Sequence, residues 1–235
     1  MRRSKTLFRG GQAILPVLLL FLAFPSRAAQ PYHLELEANP AAPFPFLGRL
    51  GTIDLHVYPG GVRAETMLLN GFSRNGQDRI TVLNPLARTY SEVPLREFQS
   101  IVRKLAAPAM KGVDGATPPP IVGPIHGTVH GIEADRYRIQ YAPAAWIDLW
   151  TTKALPDNPQ LRAIVDQLVI GIAPQTAVSA RRVPGVPLYV ELNFSRFRKL
   201  PILKVKKLTM SAEGEEDALK TGPFYLNATP FDWSR

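Results

Sequence analysis

The chain has 235 residues, no cysteine and a formal charge of +9 at pH 7. The absence of cysteine excludes stabilisation by disulfides and a lipid-modified N-terminal cysteine, so any folded domain must be held by its core. Residues 1–28 hold five basic and no acidic residues, which leaves +4 for residues 29–235. That charge is too small to indicate a nucleic-acid-binding protein.

Residues 1–28 have the pattern of a cleaved secretory signal peptide. Four basic residues precede an apolar run over residues 13–24, and small residues precede a cleavage point after Ala28, with Ala29 as the alternative. The run is shorter than the roughly 20 residues that a membrane-spanning helix requires. We therefore expect an exported, periplasmic protein that is soluble after cleavage.

The first third of the remaining chain predicts short strands. Apolar and polar residues alternate over residues 32–38 and 51–58, and Pro59-Gly60-Gly61 forms a turn into a partner strand at 62–69. A further hairpin is predicted from residues 79–84 and 88–93. Strands at this spacing are typical of a sandwich or barrel.

Two segments have helical periodicity. Residues 94–105 carry five apolar side chains at helical spacing. A second helix begins at Asn158, an N-cap followed by proline, and is predicted to end at Gly171 and Pro174. Between the first helix and the next strands, residues 106–124 are rich in proline and predict a long surface loop.

Residues 125–156 predict a central pair of strands. In the first strand, Tyr137, Ile139 and Tyr141 alternate with Arg136, Arg138 and Gln140. In the second strand, Trp146, Asp148 and Trp150 alternate with Ile147, Leu149 and Thr151. Successive side chains on a strand point to opposite faces, so each strand has one face suited to a core.

The last long strands are predicted at residues 186–194 and 201–213, and the tail at 222–235 is apolar enough to pack. The elements together indicate a mainly β (α+β) fold with one antiparallel sheet of about ten strands. A sheet of that size curls, and its concave face is the surface on which two amphipathic helices can bury their stripes.

Candidate catalytic and metal-binding groups are few. His126 and His130 would lie about 13 Å apart on a strand, which favours ordinary edge-strand histidines over a metal site. Asp54 and His56 could form half of a triad, but the chain has no nucleophile-elbow, zinc-protease or P-loop motif. We therefore expect no enzyme, no cofactor and no metal.

Asp148 lies between two tryptophans in the predicted second strand. If it is buried, its carboxylate requires a partner, and Lys153 or Arg138 could supply one. The alternative is a carboxylate at the rim of the sheet.

Six basic residues cluster around the turn between the last two strands. They are Arg196, Arg198, Lys199, Lys204, Lys206 and Lys207. One interpretation is a solvated hairpin with lysines that protect a sheet edge. The other is a patch that contacts anionic lipid headgroups or an acidic partner.

The order of elements resembles the LolA/LppX-like superfamily of exported half-open β-barrels, in an uncharacterised branch known only as domains of unknown function. The motifs that carry the resemblance are residues 84–90 (NPLARTY), 127–139 (GTVHGIEADRYRI), 146–155 (WIDLWTTKAL) and 185–188 (GVPL). The chain departs from the superfamily in its proline-rich loop at 106–124 and in lacking a recognisable chaperone-partner motif.

The resemblance implies a single domain over residues 29–235, built as a strongly curved antiparallel sheet whose concave face is plugged by the two helices. It implies a carrier or sensor with a cavity for a lipid or lipoprotein acyl chain, working as a monomer with an envelope protein or membrane surface as a further partner. The expected apolar lining is Tyr137, Ile139, Trp146, Trp150, Leu188, Val190 and Leu192. The alternative is a non-enzymatic envelope interaction module with a filled β core and a basic docking turn.

Overall fold

The computed structural model describes residues 30–39, 50–67, 70–110, 117–142, 144–194, 198–210 and 215–229. The predicted signal peptide and cleavage point lie outside the described residues. Within these ranges strands dominate, and they form one large, curved and unclosed sheet accompanied by helices. The prediction of a mainly β, α+β fold is confirmed at this level.

Twelve strands and four helices lie within the described ranges. The strands are β1 Tyr32–Ala38, β2 Thr52–Tyr58, β3 Gly61–Thr66, β4 Asn70–Arg74, β5 Arg79–Asn84, β6 Thr89–Pro94, β7 Ile121–Val129, β8 Ile132–Ala142, β9 Ala145–Thr152, β10 Val186–Phe194, β11 Arg198–Met210 and β12 Leu226–Asn227. The helices are α1 Leu95–Met110, α2 Pro159–Ile172, α3 Pro174–Ala180 and the single turn α4 Glu215–Ala218.

The strand order across the sheet is β12-β6-β5-β4-β3-β2-β1-β11-β10-β9-β8-β7. Neighbouring strands are antiparallel apart from β12, which runs parallel to β6. The first strand, β1, is therefore central: it pairs with β2 on one side and with the late strand β11 on the other. The terminal strands of the order are β7 and β12.

One face of the sheet is covered by helices, and we call it the helix-covered face. Leu161 of α2 belongs to the same apolar cluster as the buried sheet residues Leu34 and Val205. Ala106 of α1 packs with Leu192 and Ile202. The opposite face is called the outer face.

The two long helices approach each other closely at Gly171. A Cβ atom on this residue would lie 2.8 Å from Val102 Cγ1 and 2.9 Å from the backbone oxygen of Gln99. Real Cβ contacts are not that short, so the approach of α2 to α1 depends on glycine at this position.

Asn158 caps α2, as the sequence predicts. Its side-chain oxygen accepts hydrogen bonds from the backbone N–H groups of Gln160 and Leu161, both at 2.9 Å. Its amide nitrogen donates to the carbonyl of Tyr58 at 2.8 Å, which ties the start of the helix to the end of β2.

Helix α2 ends between Gly171 and Pro174, as predicted, but a second short helix that was not predicted follows it. The helix stops at Ile172, and Pro174 does not end helical structure but opens α3 at its first helical position. Proline fits there because the first residues of a helix donate no intrahelical hydrogen bond.

The predicted loop at 106–124 is too long at both ends. Helix α1 continues to Met110, and β7 begins at Ile121. The prediction also missed strand β4, which is only five residues long and contains Gly71. Both errors reflect local propensity losing to packing within the sheet and between helices.

A smaller apolar cluster lies on the outer face, where Phe72 packs with Leu83 and Leu219. Tyr225 of the tail packs against it, so part of the tail is docked as expected. Its neighbour Phe224 is 77% exposed, and residues 230–235 lie outside the described residues. Among the helices described above, none combines the length and apolar content needed to cross a bilayer.

Candidate functional site

Two cross-strand rows of apolar side chains run across the helix-covered face, and we call them the apolar rows. The first row is Tyr137, Leu149, Val190 and Leu203, each opposite the next in register. The second row is Ile139, Ile147, Leu192 and Leu200, aligned in the same way. They are brought together because the apolar alternation of four strands is kept in phase by the antiparallel register.

The apolar rows are only partly covered. Leu149, Val190 and Leu203 are half-buried, although Ile139 beside them is 1% exposed. A filled core of this width would bury all of these side chains, so the middle of the helix-covered face retains apolar surface that water can reach.

Apolar side chains of the helices are incompletely buried as well. On α2 every residue from 163 to 170 is half-buried, including Ile164, Val165, Leu168 and Val169. On α1, Leu105 is 47% exposed. Apolar surface that remains accessible on both the sheet and the helices is suited to contact with a hydrocarbon chain.

The predicted lining residues do not share one face. Tyr137, Ile139, Leu188, Val190 and Leu192 belong to the helix-covered face. Trp146 and Trp150 do not, because they lie opposite Gln140 and Arg136 in register, on the outer face. The placement of both tryptophans in one lining with Tyr137 is therefore corrected: their alternation was predicted rightly, but the face was assigned wrongly.

The outer face holds a buried ion pair beside these tryptophans. The guanidinium of Arg138 donates two hydrogen bonds to the Asp148 carboxylate, at 2.8 and 2.9 Å, and Asn193 Nδ2 lies 3.4 Å from the same carboxylate. Asp148 is only 4% exposed, so it is not a rim carboxylate. The hydrogen bond to Asp148 raises the pKa of Arg138. Two charge-assisted bonds in this fork geometry explain how the sheet tolerates the charge.

Each tryptophan of β9 is in cation–π contact with an arginine of β8. The guanidinium carbon of Arg138 lies 4.7 Å from the ring centroid of Trp146, and that of Arg136 lies 5.6 Å from Trp150. Cation–π contacts of this kind stabilise aromatic residues that remain half-exposed on a sheet. The arrangement explains why large aromatic side chains occupy the face that α1 and α2 leave uncovered.

The other predicted partner of Asp148, Lys153, binds elsewhere. Its Nζ lies 3.3 Å from Asp135, which also contacts His126 Nδ1 at 2.5 Å. Burial tends to raise the pKa of Asp135, but the hydrogen bonds from His126 and Lys153 outweigh it and hold that pKa below its usual value. His130 sits in the following turn, and no group of metal ligands is found among the described residues.

Asp54 pairs with His33 rather than with His56. The His33 Nε2 atom lies 2.9 Å from Asp54 Oδ1, and the ring of His56 stacks on His33 with centroids 4.3 Å apart. Burial, followed by the neighbouring His33, lowers the pKa of His56. The arrangement is a cross-strand stack on the outer face.

The lysines of β11 lie opposite acidic residues of β1. Lys204 and Lys207 face Glu37 and Glu35 in register, and Lys206 Nζ lies 3.4 Å from Glu37. Lys199 is exposed beside the turn. Of the remaining predicted contacts, Arg196 lies outside the described residues and Arg198 begins β11. The charge of the patch is therefore partly balanced within the sheet.

A groove that sequence reasoning missed lies at the ends of β2, β3 and β4, with a volume of about 430 Å³. Its lining residues are Leu50, Gly51, Thr52, Asp54, Glu65, Thr66, Met67 and Asn70. Two carboxylates in its wall make it a poor site for a hydrocarbon chain. No sequence signal indicated it, because it is formed by strand ends without a motif.

No family model matches the chain, and no curated protein matches it. Among solved structures, an uncharacterised conserved protein from Thermus thermophilus is similar, with 9% sequence identity over 85% of this chain and 91% of that chain and a TM-score of 0.45. A likeness at that TM-score supports no conclusion about function.

Proposed function

We propose that this protein is an exported, non-enzymatic carrier or sensor that holds a lipid or lipoprotein acyl chain in a half-open β-barrel. The acyl chain of the ligand would lie against the apolar rows, beneath α1 and α2. The single observation that carries the proposal is the incomplete burial of apolar side chains on the sheet and on α2, as at Leu149 and at Ile164, which packs against the apolar cluster of the sheet.

The energetics favour such a ligand. Each methylene group transferred from water to an apolar site contributes about 0.8 kcal/mol. Ten methylenes therefore supply roughly 8 kcal/mol before the cost of ordering the ligand is subtracted. A ligand would also cover the half-buried protein side chains, which adds to the same driving force.

The ionisable groups of the outer face favour a structural role over a catalytic one. Asp148 and Asp54 are each engaged by a cationic or imidazole partner within the sheet. A group held in this way has its charge compensated by the fold itself. This supports a binding function for the opposite, helix-covered face.

The experiment uses the chain purified without its first 28 residues. Organic extraction and mass spectrometry identify any lipid carried through purification. The affinity for added monolaurin is measured by its displacement of the neutral fluorophore N-phenyl-1-naphthylamine from the protein. Intrinsic tryptophan fluorescence is a poor reporter, because Trp146 and Trp150 lie on the outer face. The proposal would be contradicted if the purified protein carried no lipid and bound neither the fluorophore nor monolaurin.

A matched pair of variants locates the site. Leu149→Gln places an amide in the middle of the apolar rows, and we expect monolaurin affinity to fall about tenfold because an unpaired polar group opposes the hydrocarbon chain. Val122→Gln makes a similar change on β7, where Val122 is 60% exposed and lies opposite Arg138. We expect that variant to bind like the wild type.

The alternative is an envelope interaction module that docks through the basic turn. It has less support, because Lys206 is paired with Glu37 and its neighbours face glutamates. Charge reversal at Lys204, Lys206 and Lys207 separates the two functions: the alternative predicts loss of an envelope partner with lipid binding intact.

A further inference from the structure

Strand β7 is the last strand in the order of the described sheet, and its far edge pairs with no described strand. Most of its residues are exposed. An open strand edge presents unpaired backbone N–H and C=O groups and is a template for pairing with another strand. The other terminal strand, β12, is only two residues long. Strand β7 is therefore the edge of this sheet that can pair over a useful length.

The two halves of β7 differ in how they oppose such pairing. The first half contains Pro124, which has no N–H group, and a register irregularity between Val122 and Ile125. Proline and irregular pairing are devices by which natural proteins protect open edges. Residues 125–129 pair regularly with β8 and include neither proline nor lysine. They are the unprotected part of the edge.

The turn after β7 decides which backbone groups of this segment point outward. It consists of His130 and Gly131, whose φ angles of 50° and 79° are typical of a type I′ hairpin turn. In such a hairpin the residues that flank the turn, here Val129 and its partner in β8, exchange both backbone hydrogen bonds. Bonded and non-bonded pairs alternate along an antiparallel ladder. The N–H and C=O groups of His126 and Thr128 therefore point away from β8.

These outward groups are complementary to those of a second copy related by a two-fold axis between the two Gly127 residues. His126 of each copy then lies opposite Thr128 of the other, and the two residues exchange both backbone hydrogen bonds. A shift of the pairing by two residues would place Thr128 opposite Pro124, which lacks a donor, or His126 opposite the turn residue His130. One register therefore satisfies every outward group of residues 125–129.

The side chains of the same register are complementary as well. Ile125, Gly127 and Val129 alternate on one face of β7. The indole of Trp150 lies over Gly127, where a Cβ atom would be 2.9 Å from Trp150 Cζ3. In the paired sheet Ile125, which is 50% exposed, lies opposite Val129 of the second copy. The two Gly127 Cα atoms are about 4.5 Å apart in a non-hydrogen-bonded pair, which brings the edges of both Trp150 rings together.

Charge does not oppose this pairing. Asp135 contacts both His126 Nδ1 and Lys153 Nζ, at 2.5 and 3.3 Å, within one copy. Across the two-fold axis His126 meets the hydroxyl-bearing Thr128, and the other facing residues are apolar or glycine. Like charges therefore do not lie opposite one another on the two β7 strands, which would destabilise the pair.

We infer that residues 125–129 form a two-fold interface with a second copy of this chain, in which the β7 strands pair antiparallel and join two sheets into one. The resulting dimer takes the place of the monomer that the resemblance implies. The inference is independent of the proposed ligand, because the apolar rows lie on β8 to β11.

Sedimentation velocity at increasing concentration measures self-association of the purified chain, and we expect a monomer–dimer equilibrium. Thr128→Pro removes one outward N–H from each copy and leaves the β7–β8 bonds in place, since proline is tolerated where the N–H of an edge strand faces away from the sheet. The loss of two hydrogen bonds should raise the dissociation constant of the dimer about thirtyfold. Thr128→Val retains the N–H and should associate like the wild type.

A second pair of variants does not depend on proline. Ile125→Lys places a charge at the apolar contact with the second copy and should also weaken association, because lysine protects sheet edges from pairing. Leu226→Lys makes the same change on β12, where Leu226 is 73% exposed, and should associate like the wild type. Far-UV circular dichroism and urea midpoints like those of the wild type show that each variant is folded.

Cysteine variants test the register, because the chain has no cysteine of its own. The Cα atoms of a hydrogen-bonded antiparallel pair are about 5.5 Å apart, which is within the range of a disulfide. A mixture of His126→Cys and Thr128→Cys chains should therefore form a disulfide-linked dimer on mild oxidation, whereas each variant alone should not.

Three results would overturn the inference. The first is a chain that stays monomeric at every concentration. The second is an association that Thr128→Pro and Ile125→Lys leave unchanged. The third is a cross-link that is missing from the mixture or that forms as readily in one cysteine variant alone.

Discussion

The buried ion pair of the outer face gives the sharpest prediction for stability. Arg138→Met removes both hydrogen bonds to Asp148, whose side chain is 6% exposed, and leaves only the Asn193 amide at 3.4 Å. Methionine retains most of the apolar length of arginine, so the loss is mainly electrostatic. The substitution therefore isolates the cost of an uncompensated buried carboxylate.

The magnitude follows from the exposure of the two partners. Removing one partner of a fully buried pair costs about 3–5 kcal/mol. Because 41% of the Arg138 side chain is exposed, water can reach part of the vacated site, and we expect a smaller loss of about 2–3 kcal/mol. For a domain of this size the melting temperature should fall by roughly 5–10 °C.

Urea unfolding of a double-mutant cycle measures this effect. Asp148→Asn removes the charge while retaining an acceptor for Asn193, so Arg138→Met in that background should cost much less than in wild type. Arg136→Met is the matched control, since Arg136 lies on the same face of β8 and contacts Trp150 as Arg138 contacts Trp146. We expect it to cost less than about 1 kcal/mol, the value of a cation–π contact.

Two results would refute the reasoning. One is a loss below about 0.5 kcal/mol for Arg138→Met, which would place the carboxylate in water. The other is an equal loss of unfolding free energy for Arg138→Met in the wild-type and Asp148→Asn backgrounds.

Three further predictions follow from packing, capping and titration. Gly171→Ala should destabilise by about 1–3 kcal/mol through a clash with Val102, and a gain in the urea midpoint would show that the two helices are farther apart. Asn158→Ala should cost about 2 kcal/mol, at the upper end for a helix cap because its hydrogen bond to the β2 backbone is lost as well; Asn158→Ser should retain the cap acceptor and lose less. His56 has a lowered pKa in the folded chain, so the unfolded chain binds more protons and stability should fall as pH drops below about 6.5; His56→Gln should flatten that slope, and an NMR titration midpoint at or above 6.5 would contradict it.

Sequence alone predicted which side chains share a strand face but not which face the helices cover. The alternation of Trp146, Asp148 and Trp150 with Ile147 and Leu149 is that of the structure. Size and hydrophobicity favoured the tryptophans for the interior. In the structure the tryptophans lie on the outer face instead. They share that face with Asp148, Arg138 and Asn193, whose polar groups form hydrogen bonds with one another only when all three lie together.

Strong local signals were reliable. Residues 32–38 form β1 as predicted, and Asn158 caps α2. Weak or overruled signals were not: β4, which contains Gly71, was not predicted, and the first residues of β7, up to Pro124, were assigned to the proline-rich loop.

The candidate site was predicted in composition and missed in detail. Tyr137, Ile139, Leu188, Val190 and Leu192 lie on the helix-covered face, as the apolar pattern required. The partial burial of Leu149 and Leu203 on the same face was not predicted, because partial burial depends on how closely two helices approach the sheet. No periodicity in the sequence encodes that distance.

The pairing of β1 with β11 has a consequence for how the chain acquires its structure. Tyr32 lies opposite Met210, so the pairing of these two strands, the β1–β11 seam, cannot form until the chain has been made at least as far as residue 210. The β2–β3 and β10–β11 hairpins have short loops and can form early, whereas the seam has a high contact order and should set a refolding time of milliseconds to seconds. During that interval β1 presents an unpaired edge, at which a synthetic peptide copying β11 would compete with the chain's own strand.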